Sequence, residues 1–147
     1  MISVIQRVAT AKVTVDGRII GEIGNGIVAL VAVEKDDTEK AVQRLLERIL
    51  NYRIFADANG RMNLSLKDTQ GGLLLVPQFT LAADTGKGNR PSFASAAAPD
   101  KGSQLFGYLQ DLAVATYQFV QFGEFGADMQ VSMINDGPVT FTLRSSS

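Results

Sequence analysis

Ile27 to Val33 is an unbroken apolar run, Ile-Val-Ala-Leu-Val-Ala-Val, that opens after Gly26. Seven residues are too few for a helix and the Val content favours extended backbone, so the run reads as a strand buried on both faces. It is also the longest strongly apolar run in the chain, far below the roughly 18 residues that would suggest a membrane helix.

The surrounding sequence supplies partners for such a strand. Residues 2–8 and 11–15 alternate or carry β-branched side chains, and Asp16-Gly17 separates Val13-Thr14-Val15 from Arg18-Ile19-Ile20. That is a hairpin signal, because glycine readily takes the positive φ of the turn. A helix is predicted over residues 37–51, capped by Asp36 with Glu39 reaching back; Ala41, Val42, Leu45, Leu46, Ile49 and Leu50 recur at helical spacing. Its other face carries Glu39, Lys40, Arg44, Glu47 and Arg48. Tyr52 to Ala56 is predicted as a strand, residues 57–60 as a turn, Met62 to Leu66 as an extended segment, and Leu73 to Val76 as an apolar strand begun by Gly71-Gly72. A second helix starts near Pro99 and packs Leu105, Phe106, Leu109, Leu112, Ala113 and Thr116, with Gly102 and Gly107 each weakening it by roughly 1 kcal/mol relative to Ala. Strands at Asp128 to Ile134 and Val139 to Leu143 flank a turn at 135–138, and Ser145 to Ser147 are expected to fray. The fold class is α/β, expected as a layered sheet sandwich with two packing helices. The 147 residues show no repeat or linker and are expected to form a single domain, 1–147.

Composition narrows the chemistry. The chain has no histidine and no cysteine, which removes Ser-His-Asp and thiolate mechanisms and any zinc site built on nitrogen or sulfur. The opening residues lack the segments of a signal peptide, and no disulfide is available, so a cytoplasmic location is expected. Fourteen Lys and Arg against 15 Asp and Glu give a net charge of −1, so the molecule as a whole attracts neither nucleic acid nor an anionic membrane. A local patch in the loop 85–91, at Lys87 and Arg90, is the candidate for phosphate.

Gly21 to Gly26 lacks the G-x-G-x-x-G order and Gly86-Lys87-Gly88 lacks phosphate-loop spacing, so no nucleotide cofactor is expected. The acidic residues show no metal-site spacing, and no metal is expected. Two segments stand out. In Pro77-Gln78-Phe79-Thr80 a proline ends an apolar run, so the backbone leaves its ladder and exposes N–H groups. In Asn135-Asp136-Gly137-Pro138-Val139-Thr140 a Gly-Pro bond occurs, which the general cis frequency of about 5–6% would leave trans. Thr80 and Thr140 read by themselves as ordinary β-formers.

Taken in order with Ile5-Gln6-Arg7-Val8, Val33-Glu34-Lys35, Arg53-Ile54-Phe55, Met62-Asn63-Leu64, Asn89-Arg90-Pro91-Ser92-Phe93 and Phe125-Gly126-Ala127-Asp128-Met129, these two segments resemble the D-aminoacyl-tRNA deacylase family over nearly the whole chain. The resemblance implies a cytoplasmic homodimer that hydrolyses the ester between a D-amino acid and the 3′ end of tRNA. It implies no cofactor, and aminoacylated tRNA and a second subunit as partners rather than DNA or a membrane. It further implies that Gly137-Pro138 is cis and enters the partner subunit's active site, that Gln78, Phe79 and Thr80 carry the chemistry, that Arg7 holds the Gly-Pro motif, and that Met129 lines the pocket. In the family's pattern the 2′-hydroxyl of the terminal ribose assists water, with Thr80 as the alternative nucleophile. Threonine needs an adjacent base, and a chain without histidine has none of that kind to offer, which favours the 2′-hydroxyl.

An enzyme that accepts many D side chains must read what its substrates share: the α-ammonium, the ester and the terminal adenosine. Rigid carbonyls at a cis Gly-Pro turn accept the ammonium's hydrogens and collide with an L side chain, so glycine, with nothing to exclude, is expected to be cleaved. One position departs from the pattern, because Pro77 stands where the family has serine. A non-catalytic tRNA-binding dimer and a small-molecule esterase are the competing classes. The near-neutral charge mildly favours the first, and the intact Gln78-Phe79-Thr80 and Gly137-Pro138 oppose it.

Overall fold

The computed structural model describes residues 1–147. In chain order the elements are β1 (Ile2–Val15), β2 (Arg18–Ile23), β3 (Gly26–Ala32), α1 (Glu39–Asn51), β4 (Phe55–Ala56), β5 (Met62–Leu64), a one-turn α2 (Leu66–Thr69), β6 (Gly72–Pro77), a 3-10 turn (Phe79–Ala82), α3 (Pro99–Thr116), β7 (Val120–Phe122) and β8 (Gln130–Arg144). Residues 2–8 and 11–15 form one strand rather than two, kinked where its register shifts at Val13/Thr14. The Asp16-Gly17 hairpin forms as predicted, with both residues at positive φ.

β1 pairs antiparallel with β3 through residues 2–8 and with β2 through residues 11–15, while β8 runs antiparallel along its other edge. β3 continues parallel to β6, and β6 parallel to β7. β3 is buried along its length apart from half-exposed Leu30, as a strand flanked on both edges and covered on both faces requires. A layered sandwich was expected, but these strands form one six-stranded sheet, with β4 and β5 a separate small hairpin. That sheet curls until β2 meets β7: a Cβ at Gly21 would lie 2.8 Å from the Phe122 carbonyl oxygen, so only glycine lets the sheet come this close to closing.

The curl separates two apolar clusters. The larger lies under α1 and α3 and joins Ile5, Ile27, Leu73 and Leu75 to Leu45, Ile49, Phe106 and Leu109. The smaller, built from Val8, Val13, Ile23, Val28, Leu74 and Val76, fills the concave side. All six residues predicted for the α1 stripe are buried. In α3, Leu105, Phe106, Leu109 and Ala113 are buried and Leu112 packs beside them, whereas Thr116 is exposed and donates its hydroxyl to Leu112 O at 2.7 Å.

Several predicted boundaries move because distant residues claim the groups involved. The first helix starts at Glu39 with Thr38 at its N-cap and no side-chain cap. Asp36 does not cap it. Asp37, expected inside the helix, instead accepts from the Met1 amino group at 2.8 Å and from Glu34 N at 2.7 Å. Of residues 52–56 only Phe55–Ala56 is strand, and Leu66 opens α2, whose cap is Ser65 in a reciprocal box with Asp68. β7 has no counterpart in the sequence reading. The terminal serines, expected to fray, dock on α1: Ser145 Oγ donates to Ala41 O at 2.8 Å, Ser146 O accepts from Arg44, and Ser147 Oγ meets Thr38. No helix is long and apolar enough to cross a membrane.

Candidate active site

β3, β6 and β7 run parallel and end at one edge of the sheet, the position where crevices form in α/β folds. A cavity of about 680 Å³ opens there. The strand ends contribute Val31, Val33, Val76 and Pro77; the chain leaving β6 contributes Gln78 and Phe79; the segment 93–99 and the start of α3 contribute Phe93, Pro99, Gly102 and Phe106; and the stretch before and into β8 contributes Phe125, Met129 and Val131. No ionisable side chain lines it.

Proline is accommodated at the end of β6 by the sheet pattern. Leu73 N donates to Phe119 O, so the odd-numbered amides of β6 face β7; the last bond on that side runs from Gly123 N to Leu75 O, and Pro77 stands at the end of the ladder with its ring beside Gly123. The even-numbered neighbour keeps its bond to β3, Gln78 N donating to Val31 O at 2.7 Å. The backbone then leaves the ladder at Gln78 (φ −146°, ψ 75°) and enters the 3-10 turn, whose N-terminus has no side-chain cap. The first amides of any helix lack partners within it, so Phe79 N–H and Thr80 N–H start a turn that leaves them without an intrahelical acceptor.

Gln78, Phe79 and Met129 therefore lie together on the wall of this cavity. Gly123 leaves room for Met129 to pack here, because a Cβ there would meet the Met129 sulfur at 2.9 Å and Pro77 Cδ at 3.2 Å. Glu124 N–H also points at that sulfur, at 3.4 Å. Thr80 does not line the cavity; its hydroxyl takes a 2.5 Å hydrogen bond from the Gln78 side-chain amide. Phe79 (56% exposed) and Phe93 (43% exposed) pack at a centroid distance of 5.2 Å and form an aromatic rim. Phe93 and Phe125 were not predicted as site residues; nothing local distinguishes them from core aromatics.

The other predicted residues form a second cluster, away from this cavity. Gln6 pairs with Thr140 and Val8 with Asn135, so the single residue Arg7 faces a four-residue excursion, 136–139. The Gly137-Pro138 peptide is cis and both residues are exposed. Arg7 spans the base of the excursion, with Nε donating to Asp136 O at 3.0 Å and Nη1 to Ile54 O at 2.7 Å. Asn135 closes the loop from within, accepting from Val139 N at 2.7 Å and donating to Thr140 Oγ1 at 2.9 Å. Gly137 has φ +143°, and an added Cβ would sit 2.6 Å from Val139 Cγ2 and 2.9 Å from Val139 N. Asn135 was missed as a site residue, since asparagine in a turn is ordinarily read as turn chemistry alone. Lys87 and Arg90 are exposed on a loop closed by the backbone pairing of Asp84 with Ser92.

No three Asp or Glu side chains converge on a point that would hold a metal ion. The shifted carboxylates lie outside the cavity: Asp57 is held below its ordinary value by backbone N–H bonds from Arg61 and Asn59, and Asp68 by those from Ser65. Burial pushes the Tyr117 phenol up, and its hydroxyl donates to Gly71 O at 2.5 Å.

Residues 4–144 match the family model described as D-Tyr-tRNA(Tyr) deacylase. Among curated proteins, the chain is 58% identical to a D-aminoacyl-tRNA deacylase of Nitrosococcus oceani over 98% of this chain and 93% of that one. It is 60% identical to one of Thioalkalivibrio sulfidiphilus over 97% and 96%. Among solved structures, a c-Myc DNA unwinding element binding protein superposes with a TM-score of 0.95 at 39% identity over the full length of both chains. A probable eukaryotic D-amino acid tRNA deacylase superposes with a TM-score of 0.83 over 97% of each, and at 18% identity that likeness is one of fold.

Proposed function

Because the chain belongs to the D-Tyr-tRNA(Tyr) deacylase family, we propose that it hydrolyses the ester bond joining a D-amino acid to the 3′ end of tRNA, acting in the cytoplasm as a homodimer. The observation that carries this reading is the 58–60% identity to named deacylases over 97–98% of the chain. The chemistry follows from the uncharged cavity. With no ionisable side chain on its wall, proton transfer falls to the substrate. Water attacks the ester carbonyl carbon, the bond from that carbon to the ribose 3′-oxygen breaks, and the proton that water loses passes by way of the 2′-hydroxyl to the departing 3′-oxygen. The negative charge on the carbonyl oxygen is met by the Phe79 and Thr80 amides, a role worth roughly 2.7–4 kcal/mol per donor in other enzymes.

Thr80 serves this reaction through its backbone. Its hydroxyl is engaged by Gln78 and has no neighbouring base, which speaks against a nucleophile. Gln78 and Met129 shape the wall beside the ester, and the Phe79–Phe93 rim offers an aromatic face to the terminal base.

Chirality is read by the partner subunit's loop. The exposed Gly137-Pro138 turn, held by Arg7 and Asn135, inserts into the facing cavity, where its carbonyls accept from the α-ammonium and its bulk excludes an L side chain. Supporting the dimer is the outer edge of β8, which has no strand partner and carries exposed Val131, Ile134 and Phe141. The test is deacylation of matched D-Tyr-tRNA, L-Tyr-tRNA and Gly-tRNA. Cleavage of the D and glycyl substrates with sparing of the L substrate is expected, and robust D-Tyr-tRNA cleavage without Gly-tRNA cleavage would sink the steric account.

A further inference from the structure

The ion pairs in this structure are those of the Met1 amino group with Asp37 and Glu34, so none of the 14 Lys and Arg side chains is paired with a carboxylate. Three of these free cations stand in line. Lys40, Arg44 and Arg48 are exposed on α1 at a spacing of four residues, hence on one face and about 6 Å apart along the axis. Like charges at this spacing destabilise a helix by about 0.2–0.5 kcal/mol per pair, and Glu39 and Glu47 flank the line without pairing to it. Two of the guanidinium groups are anchored by one nitrogen each on the C-terminal segment, Arg44 Nη1 to Ser146 O at 2.8 Å and Arg48 Nη1 to Arg144 O, the last residue of β8, at 3.0 Å. The second contact brings exposed Arg144 beside the line. Each anchored guanidinium keeps its other N–H donors and its full charge for an outside acceptor, in the geometry suited to phosphate oxygens.

The line begins at the cavity. The segment carrying Val33 and Lys35 is bonded to the cavity's outer strap, Ala97 N to Val33 O at 3.0 Å and Lys35 N to Ser95 O at 3.1 Å, and Lys101 Nζ donates to Lys35 O. Lys35 and Lys101 thus stand at the rim, and α1 leads away from it for about 12 Å between Lys40 and Arg48. We propose that this track, Lys101, Lys35, Lys40, Arg44 and Arg48, is the docking surface for the phosphate backbone of the tRNA acceptor arm, while the aminoacylated end occupies the cavity. The inference rests on the proposed deacylase reading and identifies where a protein of net charge −1 holds a polyanion.

The test compares Arg44→Gln/Arg48→Gln with Lys87→Gln/Arg90→Gln and with Lys40→Gln, an exposed side chain that anchors no carbonyl. Binding of uncharged tRNA is followed by fluorescence anisotropy across a KCl series. The arginine double variant is expected to bind roughly tenfold more weakly at low salt and to flatten the slope of log K against log[salt] by about 2, one per lost phosphate contact; Lys40→Gln flattens it by about 1. In deacylation, the double variant loses a similar factor in kcat/KM on full-length D-Tyr-tRNA and none on a D-aminoacylated CCA trinucleotide, which is too short to reach α1. Unchanged slopes in both the double variant and Lys40→Gln overturn the proposal, as does an equal loss on tRNA and trinucleotide, or a slope change confined to Lys87→Gln/Arg90→Gln. Wild-type protein that binds tRNA through the track but cleaves neither substrate refutes the deacylase reading and leaves the docking surface standing.

Discussion

At Pro77–Thr80 and at Asp136–Val139 a strand leaves its ladder, and the two departures differ in kind. β6 turns inward into a 3-10 turn that walls an apolar cavity, fixed by the sheet above it and by packing against Gly123 and Met129. β8 turns outward into an exposed tip, Asp136 to Pro138, whose inner end Val139 is buried in the main core; the tip itself is fixed by hydrogen bonds with Arg7 and Asn135. A packed wall tolerates side-chain changes that preserve its volume, because its position is set by many small contacts. A loop held by a few directional bonds has no such reserve, so single changes there displace it as a unit.

The largest effect is therefore expected at Gly137. Alanine would have to adopt φ +143° with its Cβ 2.6 Å from Val139 Cγ2, so the loop must move. Misplacement on the order of 1 Å costs roughly 100-fold in well-positioned active sites, and Gly137→Ala is expected to lose at least that in kcat/KM on D-Tyr-tRNA while its melting temperature falls by only a few degrees. A variant with near wild-type rates breaks the contrast, since the loop would then not need its shape. Asn135→Ala comes next. It removes bonds to Val139 N and Thr140 Oγ1, each worth about 1 kcal/mol, so kcat/KM is expected to fall roughly thirtyfold, with discrimination against L-Tyr-tRNA relaxing in parallel. Loss of rate without loss of chiral discrimination would assign Asn135 to folding alone.

The contrast also governs what could be read in advance. The buried β3, the Asp16-Gly17 hairpin and the α1 stripe are set by period and local turn chemistry, and all are visible in sequence. The start of α1 is not, because Asp37 is taken by Met1, a residue far away in sequence. The docking of Ser145 on Ala41 is hidden for the same reason. In the site, Gln78, Phe79, Met129 and Gly137 stand in motifs recognisable as strings. Phe93 becomes part of the rim only when the segment 93–99 folds over the strand ends, and Asn135 becomes a clasp only because its bonds close a loop that pattern alone reads as a turn.

On the wall, Thr80→Val removes one neutral hydrogen bond, with Gln78, and leaves the backbone amide in place. About 1 kcal/mol predicts a fall of roughly fivefold in the single-turnover rate. Collapse to the uncatalysed rate would make the hydroxyl the nucleophile and overturn substrate assistance. The same reasoning applies to acid and base: with no ionisable lining residue, the rate should follow the substrate's own titration, and an inflection abolished by substituting a protein carboxylate would contradict the uncharged wall.

The smallest effect is expected at Pro77, where this chain departs from the family's serine. The missing N–H would face the chain at Gly123, just past the end of β7, so no more than one bond at the very end of the ladder is at stake. Gln78 keeps its hydrogen bond to Val31 whichever residue precedes it, and the turn that presents the Phe79 and Thr80 amides begins from that bond. Pro77→Ser exchanges ring contacts with the cavity wall for a hydroxyl and restores chain entropy to the unfolded state, a stability loss of about 0.4–1 kcal/mol. Its deacylation rate should stay within roughly threefold of wild type if backbone amides do the chemistry, since less than 1 kcal/mol is then at stake in the transition state. A gain of a hundredfold would mean that a side-chain hydroxyl on this wall orients the ester or its water, and that packing alone does not set the chemistry at the end of β6.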